Sequence, residues 1–271
     1  MQTLIVVPAR YGSTRFPGKP LAEINGISML RRTARIAELA SHEIEDCRYV
    51  VATDDARIEA HCQAHGLDYV MTSTALKTGS DRALAAADAL NTTSGLKYDR
   101  IINLQGDAPF TPAEHIVKLA RAMDSGADVA TPYIQLSWDA LKALREHKIE
   151  TPFSGTTVIV GPDGKAVWFS KTIIPAIRKE TVLQTEDSLS PICRHIGLYA
   201  YTYQALKRFT TYPESQYEKL EGLEQLRLLE NGMTIECVKV EPPQVATSGI
   251  DAPSDIVLAE ALIAKHGDPF T

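Results

Sequence analysis

Long apolar runs, paired cysteines and an excess of positive charge are all missing from this 271-residue sequence. No stretch approaches the ~20 apolar residues that a membrane-spanning helix needs. The N-terminal run stops at Pro8 and has no basic segment before it, so it does not read as an export signal. The four cysteines (Cys47, Cys62, Cys193, Cys237) are scattered, with no CxxC pair and no zinc-type Cys/His spacing. Dispersed cysteines in a chain of this size read as reduced thiols, not as a disulfide framework. These absences predict a cytoplasmic protein without membrane insertion. The net charge of −6 argues against nucleic acid as the main partner, while a local basic pocket would still suit a small anion. Neither a Walker A loop nor a GxGxxG fingerprint occurs, which removes the two commonest phosphate-binding signatures.

What is present is an alternation of short apolar runs with amphipathic stretches. Thr3–Val7 reads as a buried strand, Ser28–Ala40 as a helix and Tyr49–Thr53 as a strand. Ala56–His65 reads as a helix closed by Gly66, Tyr69–Met71 as a short strand and Ile101–Leu104 as another. Pro112–Met123 follows as a helix with Thr111 placed as its N-cap. This order predicts an α/β fold whose parallel sheet is covered on both faces. Farther on, Thr156–Val160 and Ala166–Phe169 flank a Pro-Asp-Gly-Lys turn and predict a β-hairpin. Residues 178–193 are polar and aperiodic and read as a mobile loop. His195–Tyr201 reads as one strand, Leu220–Leu229 as a helix with a core stripe at Leu220, Leu223, Leu226 and Leu229, Thr234–Val240 as a strand and Ser254–His266 as a closing helix. One domain over residues 1–271, with an inserted β arm over roughly 132–205, is the economical organisation.

The segment after the first strand carries the most chemistry. Pro8 to Leu21 reads PARYGSTRFPGKPL, with Gly12 and Gly18 permitting close backbone approach and Arg10, Arg15 and Lys19 supplying cations. Ligands of open α/β sheets bind beyond the carboxyl ends of the strands, where this loop sits. A triphosphate whose pyrophosphate departs needs such cations, because the leaving group gains negative charge; the bland alternative is a solvated basic turn. Asp107 follows an Ile-Asn-Leu-Gln strand end and suits a Mg²⁺ ligand, or a turn carboxylate. Asp251, in Gly-Ile-Asp-Ala-Pro, is equally a second metal ligand or a helix cap. Thr78-Gly79-Ser80-Asp81-Arg82 reads as a base-contacting loop or as a helix start capped by Ser80. Strand alternation puts His195, Tyr199 and Tyr201 on one face, with Gly197 leaving room for a ligand, although a lone strand histidine is more often a core residue. Glu224 and Gln225 point away from the leucine stripe, to solvent or into a cleft.

These segments resemble, in order and along nearly the whole chain, the 3-deoxy-manno-octulosonate (Kdo) cytidylyltransferases. The loop is similar to their PARYxSTRxPGKPL, Ala52-Thr53-Asp54-Asp55 to ATDD, and Gln105-Gly106-Asp107-Ala108-Pro109 to QGDEP. Phe169-Ser170-Lys171 with Ile174-Pro175 resembles FSRxxIP, and Arg194 to Tyr201 resembles RHLGIYGY. Leu223 to Arg227 repeats LEQLR, and Gly249 to Pro253 parallels GVDTP. The resemblance implies a Rossmann-like nucleotidyltransferase fold with a mostly parallel mixed sheet and an inserted β arm. It implies CMP transfer from CTP to an acidic sugar with Mg²⁺ as cofactor, in a homodimer serving envelope glycolipid synthesis. By the same resemblance Arg10 and Lys19 are catalytic. Pro8, Ala9, Arg10, Ser13, Arg15, Lys19, Thr78, Gly79, Ser80, Arg82 and Gln105 bind the nucleotide, and Asp107 and Asp251 hold the metal. Lys171, His195, Tyr199, Tyr201, Glu224 and Gln225 bind the sugar. The sequence departs from the pattern at Ala108 for Glu, Lys171 for Arg and Ser80-Asp81 for Thr-Glu. Those departures keep an amino-modified Kdo, a sialic-type acid or a non-catalytic CTP-binding role in play.

Overall fold

In the chain Thr3 to Ala9, alternate residues face opposite helical layers, and this first strand organises the molecule. The protein is described by a computed structural model covering residues 1–12, 16–93, 95–243, 249–250 and 252–270. The expected site residues Ser13, Arg15 and Asp251 therefore lie outside the described residues.

The strands are β1 (Thr3–Ala9), β2 (Glu23–Ile24), β3 (Ile27–Ser28), β4 (Cys47–Thr53), β5 (Tyr69–Met71), β6 (Arg100–Leu104), β7 (Val129–Ser137), β8 (Thr157–Val160), β9 (Ala166–Ser170), β10 (Leu189–His195), β11 (Leu198–Thr202) and β12 (Glu236–Lys239). The helices are α1 (Met29–Glu43), α2 (Ala56–His65), α3 (Gly79–Thr93), α4 (Ala113–Met123), α5 (Trp138–Glu150), α6 (Glu180–Glu186), α7 (Tyr203–Thr211), α8 (Gln216–Glu221), α9 (Leu226–Glu230) and α10 (Pro253–His266). One sheet runs β5-β4-β1-β6-β11-β7-β10-β8-β9, with β12 joined to β7. Strands β5, β4, β1 and β6 are mutually parallel, and β12 is parallel to β7. The antiparallel β11 is inserted between β6 and β7.

Leu4 and Val6 pack with Ala83, Ala86, Ala87, Leu206 and Phe209 on one face. Ile5 and Val7 pack with Leu30, Ala34, Ile58 and Ile116 on the other. Burial on both faces explains why these strands read as unbroken apolar runs. A smaller cluster of Ile134, Leu136, Leu141, Leu144 and Ile192 supports the far end of the sheet.

Several expectations are corrected. Residues 178–193 are not a loop: they hold α6 and most of β10. Pro191 breaks the strand pattern because it lacks an N–H, and the β10–β7 register shifts between Leu189 and Cys193 around it. The single strand expected over His195–Tyr201 is two, divided at Ile196-Gly197. The helix expected over Leu220–Leu229 is interrupted by Gly222, which closes α8 in a left-handed conformation (φ 62°) and leaves Leu220 exposed. The cap of α4 is Pro112 rather than Thr111. α3 is capped by Thr78, not Ser80: the Asp81 N–H donates to Thr78 Oγ1 (3.0 Å), and Asp81 Oδ2 accepts from the Thr78 N–H (3.2 Å).

Candidate active site

The carboxyl ends of β1 and β6 are neighbours, so the loops that leave them meet. Pro8 ends within β1, and a Cβ placed on Gly106 would lie 2.5 Å from its carbonyl oxygen. Only glycine allows this approach, which locks the Gln105-Gly106-Asp107 turn against the start of the cationic loop. Gly79, at the start of α3, closes the third side, with its would-be Cβ 3.3 Å from Gln105 Oε1 and 3.5 Å from Pro8 Cγ. Pro8, Gly79 and Gln105, expected at one nucleotide site, are thus in contact range of one another. Ala9 is buried in the sheet, so only its backbone is offered to a ligand.

The Lys19 ammonium donates to Asp107 Oδ2 at 2.8 Å, an ion pair with both side chains partly exposed. Arg10 reaches across to the Lys77 carbonyl at 3.0 Å, immediately before the Thr78 cap. The three expected nucleotide-side elements therefore converge: the loop after β1, the turn after β6 and the N-terminus of α3.

Two expected nucleotide residues are placed elsewhere. Arg82 is fully buried and grips Asp54 at 2.7 Å and the Thr72 hydroxyl. It fastens α3 to the end of β4 and presents nothing to a ligand. Ser80 is also buried and donates to Glu224 Oε2 at 3.3 Å, so it holds a residue expected at the sugar.

A cleft of about 1290 Å³ opens from Gln105 and Asp107 to Lys171, Arg194, His195 and Tyr199. Glu224 and Gln225 also line it. Tyr201 does not: it is buried, stacked between Tyr199 (5.8 Å) and Phe209 (6.1 Å). Because β11 runs antiparallel to β6, each residue after Tyr199 lies deeper below the cleft, and two residues cover about 7 Å.

His195 Nε2 lies 3.0 Å from both the Thr131 and Tyr199 hydroxyls, and its ring meets Phe169 edge-on at 5.0 Å. Burial, with the Lys171 charge nearby, pushes the His195 pKa down to about 3. The imidazole is therefore neutral at working pH and is a hydrogen-bonding wall, not an acid. The unfolded chain takes up this proton near pH 6.5, whereas the folded one does not until about pH 3. Stability contributed by His195 is accordingly complete above pH 6.5 and is lost as pH falls through that interval. The Tm of the wild type should drop more steeply from pH 6.5 to 4.5 than that of His195→Gln; equal slopes would remove His195 from the acid response.

Glu224 Oε1 and Gln225 Nε2 are buried with no hydrogen-bond partner among the described residues. Burial raises the Glu224 pKa against the pull of Arg227. Polar atoms left this way cost about 1–3 kcal/mol each until water or a ligand completes them.

The sequence reading overlooked Arg194. Its half-buried guanidinium lines the cleft and has no hydrogen bond or ion pair among the described residues. Burial lowers its pKa. Lys171 lines the same end, and the repulsion of Lys171 and Arg194 adds to burial in lowering the pKa of Lys148. Lys148 itself is tied to the carbonyls of Lys171 (2.7 Å) and Gly155 (3.0 Å). Concentrated positive charge in a partly desolvated pocket calls for an anion. The signal available in the sequence was the adjacency Arg194-His195, with attention drawn to the histidine alone.

Among the described residues no group of three or more His, Cys, Asp or Glu side chains could hold a metal ion. The Asp107 carbonyl accepts from the Ile250 N–H at 3.1 Å, which brings the neighbour of position 251 to Asp107. A hard oxygen donor such as the Asp107 carboxylate fits Mg²⁺, which keeps most of its shell as water.

A family model described as Cytidylyltransferase matches residues 4–235. The chain is 41% identical over 270 residues to the 3-deoxy-manno-octulosonate cytidylyltransferase of Maricaulis maris (strain MCS10), covering 99% of each. It is 39% identical over 273 residues to a protein of the same name from Phocaeicola vulgatus, covering 98% of this chain and 99% of the relative. A solved structure of CMP:2-keto-3-deoxy-manno-octonic acid synthetase complexed with CTP is similar at a TM-score of 0.78 and 31% identity, covering 98% of this chain and 99% of that one.

Proposed function

Since the chain belongs to the 3-deoxy-manno-octulosonate cytidylyltransferases, we propose that it transfers CMP from CTP to the anomeric hydroxyl of Kdo and releases pyrophosphate. One observation carries the reading beyond the family: a single cleft joins Asp107, held by Lys19, to the Arg194 guanidinium, which has no partner among the described residues. The first suits a polyphosphate and the second a sugar carboxylate.

In this reaction the sugar oxygen attacks the α-phosphorus, the bond to the β-phosphate oxygen breaks in line, and pyrophosphate departs. Positioning and charge dominate such transfers. Lys19 and Arg10 offset charge on the departing phosphates, and the α3 N-terminus with Gln105 and Gly79 holds the base end. Arg194 and Lys171 orient the carboxylate, while Tyr199, Glu224 and Gln225 receive sugar hydroxyls. Asp107, with Asp251, would hold Mg²⁺, whose bound form neutralises phosphate oxygens. A cytoplasmic site of action, feeding envelope glycolipid, is in keeping with CTP as donor.

The homodimer belongs to the same proposal. Ile149, Phe153, Val182 and Leu183 expose large apolar side chains on and beside the segment 132–205, and such surface favours a partner. Light scattering should return twice the 29.7 kDa chain mass; a monomer at micromolar concentration would remove the dimer.

The reaction is tested by pyrophosphate release from CTP and Mg²⁺ with Kdo, 8-amino-Kdo and N-acetylneuraminic acid. Release with Kdo is expected. CTP binding with no release from any sugar would overturn the catalytic reading, and release with another sugar alone would reassign the substrate.

A further inference from the structure

We infer that Arg57 is a positioning residue: it clamps Tyr11 and thereby fixes the Gly18 backbone from which Lys19 extends. The inference rests on the nucleotidyl-transfer reading above. It begins with Gly18, whose φ of +72° puts its backbone in the left-handed region and whose N–H donates to the Tyr11 carbonyl at 2.9 Å. The Tyr11 ring fills the space beside it, since a Cβ on Gly18 would lie 3.1 Å from Tyr11 Cζ. Lys19 follows directly, and its direction toward Asp107 depends on how that ring is held.

Arg57, from the first turn of α2, supplies the hold. Its guanidinium carbon lies 3.3 Å from the Tyr11 ring centroid. The guanidinium is itself oriented by the Asp55 carboxylate, Nε at 2.9 Å from Oδ1 and Nη2 at 2.7 Å from Oδ2. A fork of this kind fixes the plane of the cation, and a planar cation over an aromatic face is attractive even at the surface. Asp55 also accepts from the Arg57 N–H at 2.9 Å, capping α2. That cap uses the backbone N–H and survives truncation of Arg57 to alanine, so α2 should persist without the guanidinium.

Neither Arg57 nor Tyr11 lines the cleft that Arg194 and Lys171 line. Arg57→Ala should therefore raise KM for CTP roughly three- to tenfold. KM for Kdo and the Tm should stay near wild type. Arg57→Lys, which keeps the charge without the plane, should recover part of the loss. Tyr11→Leu should match Arg57→Ala, and the double variant should be no worse than Tyr11→Leu alone, because both remove one contact. An unchanged KM for CTP in Arg57→Ala, equal rises in both KM values, or additive effects in the double variant would overturn the clamp. Calorimetric Kd values for CTP decide the same point if the wild type shows no turnover, an outcome that would count against the transfer reading alone.

Discussion

Lys19→Ala is expected to lower kcat for pyrophosphate release at least about a hundredfold, the scale seen when one preorganised charge contact to a developing anion is removed. The ammonium sits 2.8 Å from Asp107, a residue that lines the cleft, with 16% of the lysine side chain exposed. It therefore needs little reorganisation to meet phosphate oxygens. Asp107 is 38% exposed, so losing its partner leaves a hydrated carboxylate and costs little stability. A Tm within about 3 °C of wild type is the corresponding expectation. Steady-state kinetics with CTP and Kdo, alongside calorimetry, check both. A kcat within twofold of wild type would remove Lys19 from the chemistry.

Arg194→Ala should act on the other substrate. KM for Kdo is expected to rise about a hundredfold while KM for CTP holds, on the scale found for truncating one member of a desolvated ion pair. Nothing in the described protein balances this guanidinium, so its removal relieves repulsion with Lys148 rather than breaking an internal bond. The folded state should be no less stable. Arg194→Lys should recover only part of the affinity, because an ammonium cannot match a carboxylate with two parallel bonds. If both KM values rise together with a fall in Tm, Arg194 is holding the fold and not the sugar.

The nucleotide half was legible because its signals are local. Ala56–His65 was read with both ends correct, since Asp55 caps it and Gly66 closes it within ten residues. The Gly106 turn and the Lys19 loop follow strand ends, where sequence order alone predicts a ligand site. The sugar half is assembled by contacts that local pattern does not encode. The Leu220–Leu229 stripe fits a helix, yet the left-handed Gly222 outweighed it. Tyr201 has the right parity for the cleft but the wrong depth, which depends on the direction of β11. Arg82 looks like a nucleotide ligand in a Gly-Ser-Asp-Arg string, and only the fold shows Asp54 waiting beneath it. β7 and α5 went unassigned and α3 was read only as a possible helix start: an alanine-rich helix opening on Gly-Ser after Thr78, and a strand ending on Ser137 that runs straight into a helix at Trp138, carry weak periodicity.

The backbone contact between Gly106 and Pro8 also constrains how this protein can change over generations. Positions 108 and 171 line the open cleft and meet no such limit, and they are where the sequence departs from the pattern it resembles. Position 106 has no such freedom: the smallest step, one methyl group, meets a carbonyl oxygen at 2.5 Å. A descendant carrying alanine there would have to part the ends of β1 and β6 first. The sugar preference is thus free to wander while the spacing between the two phosphate-side loops is inherited unchanged.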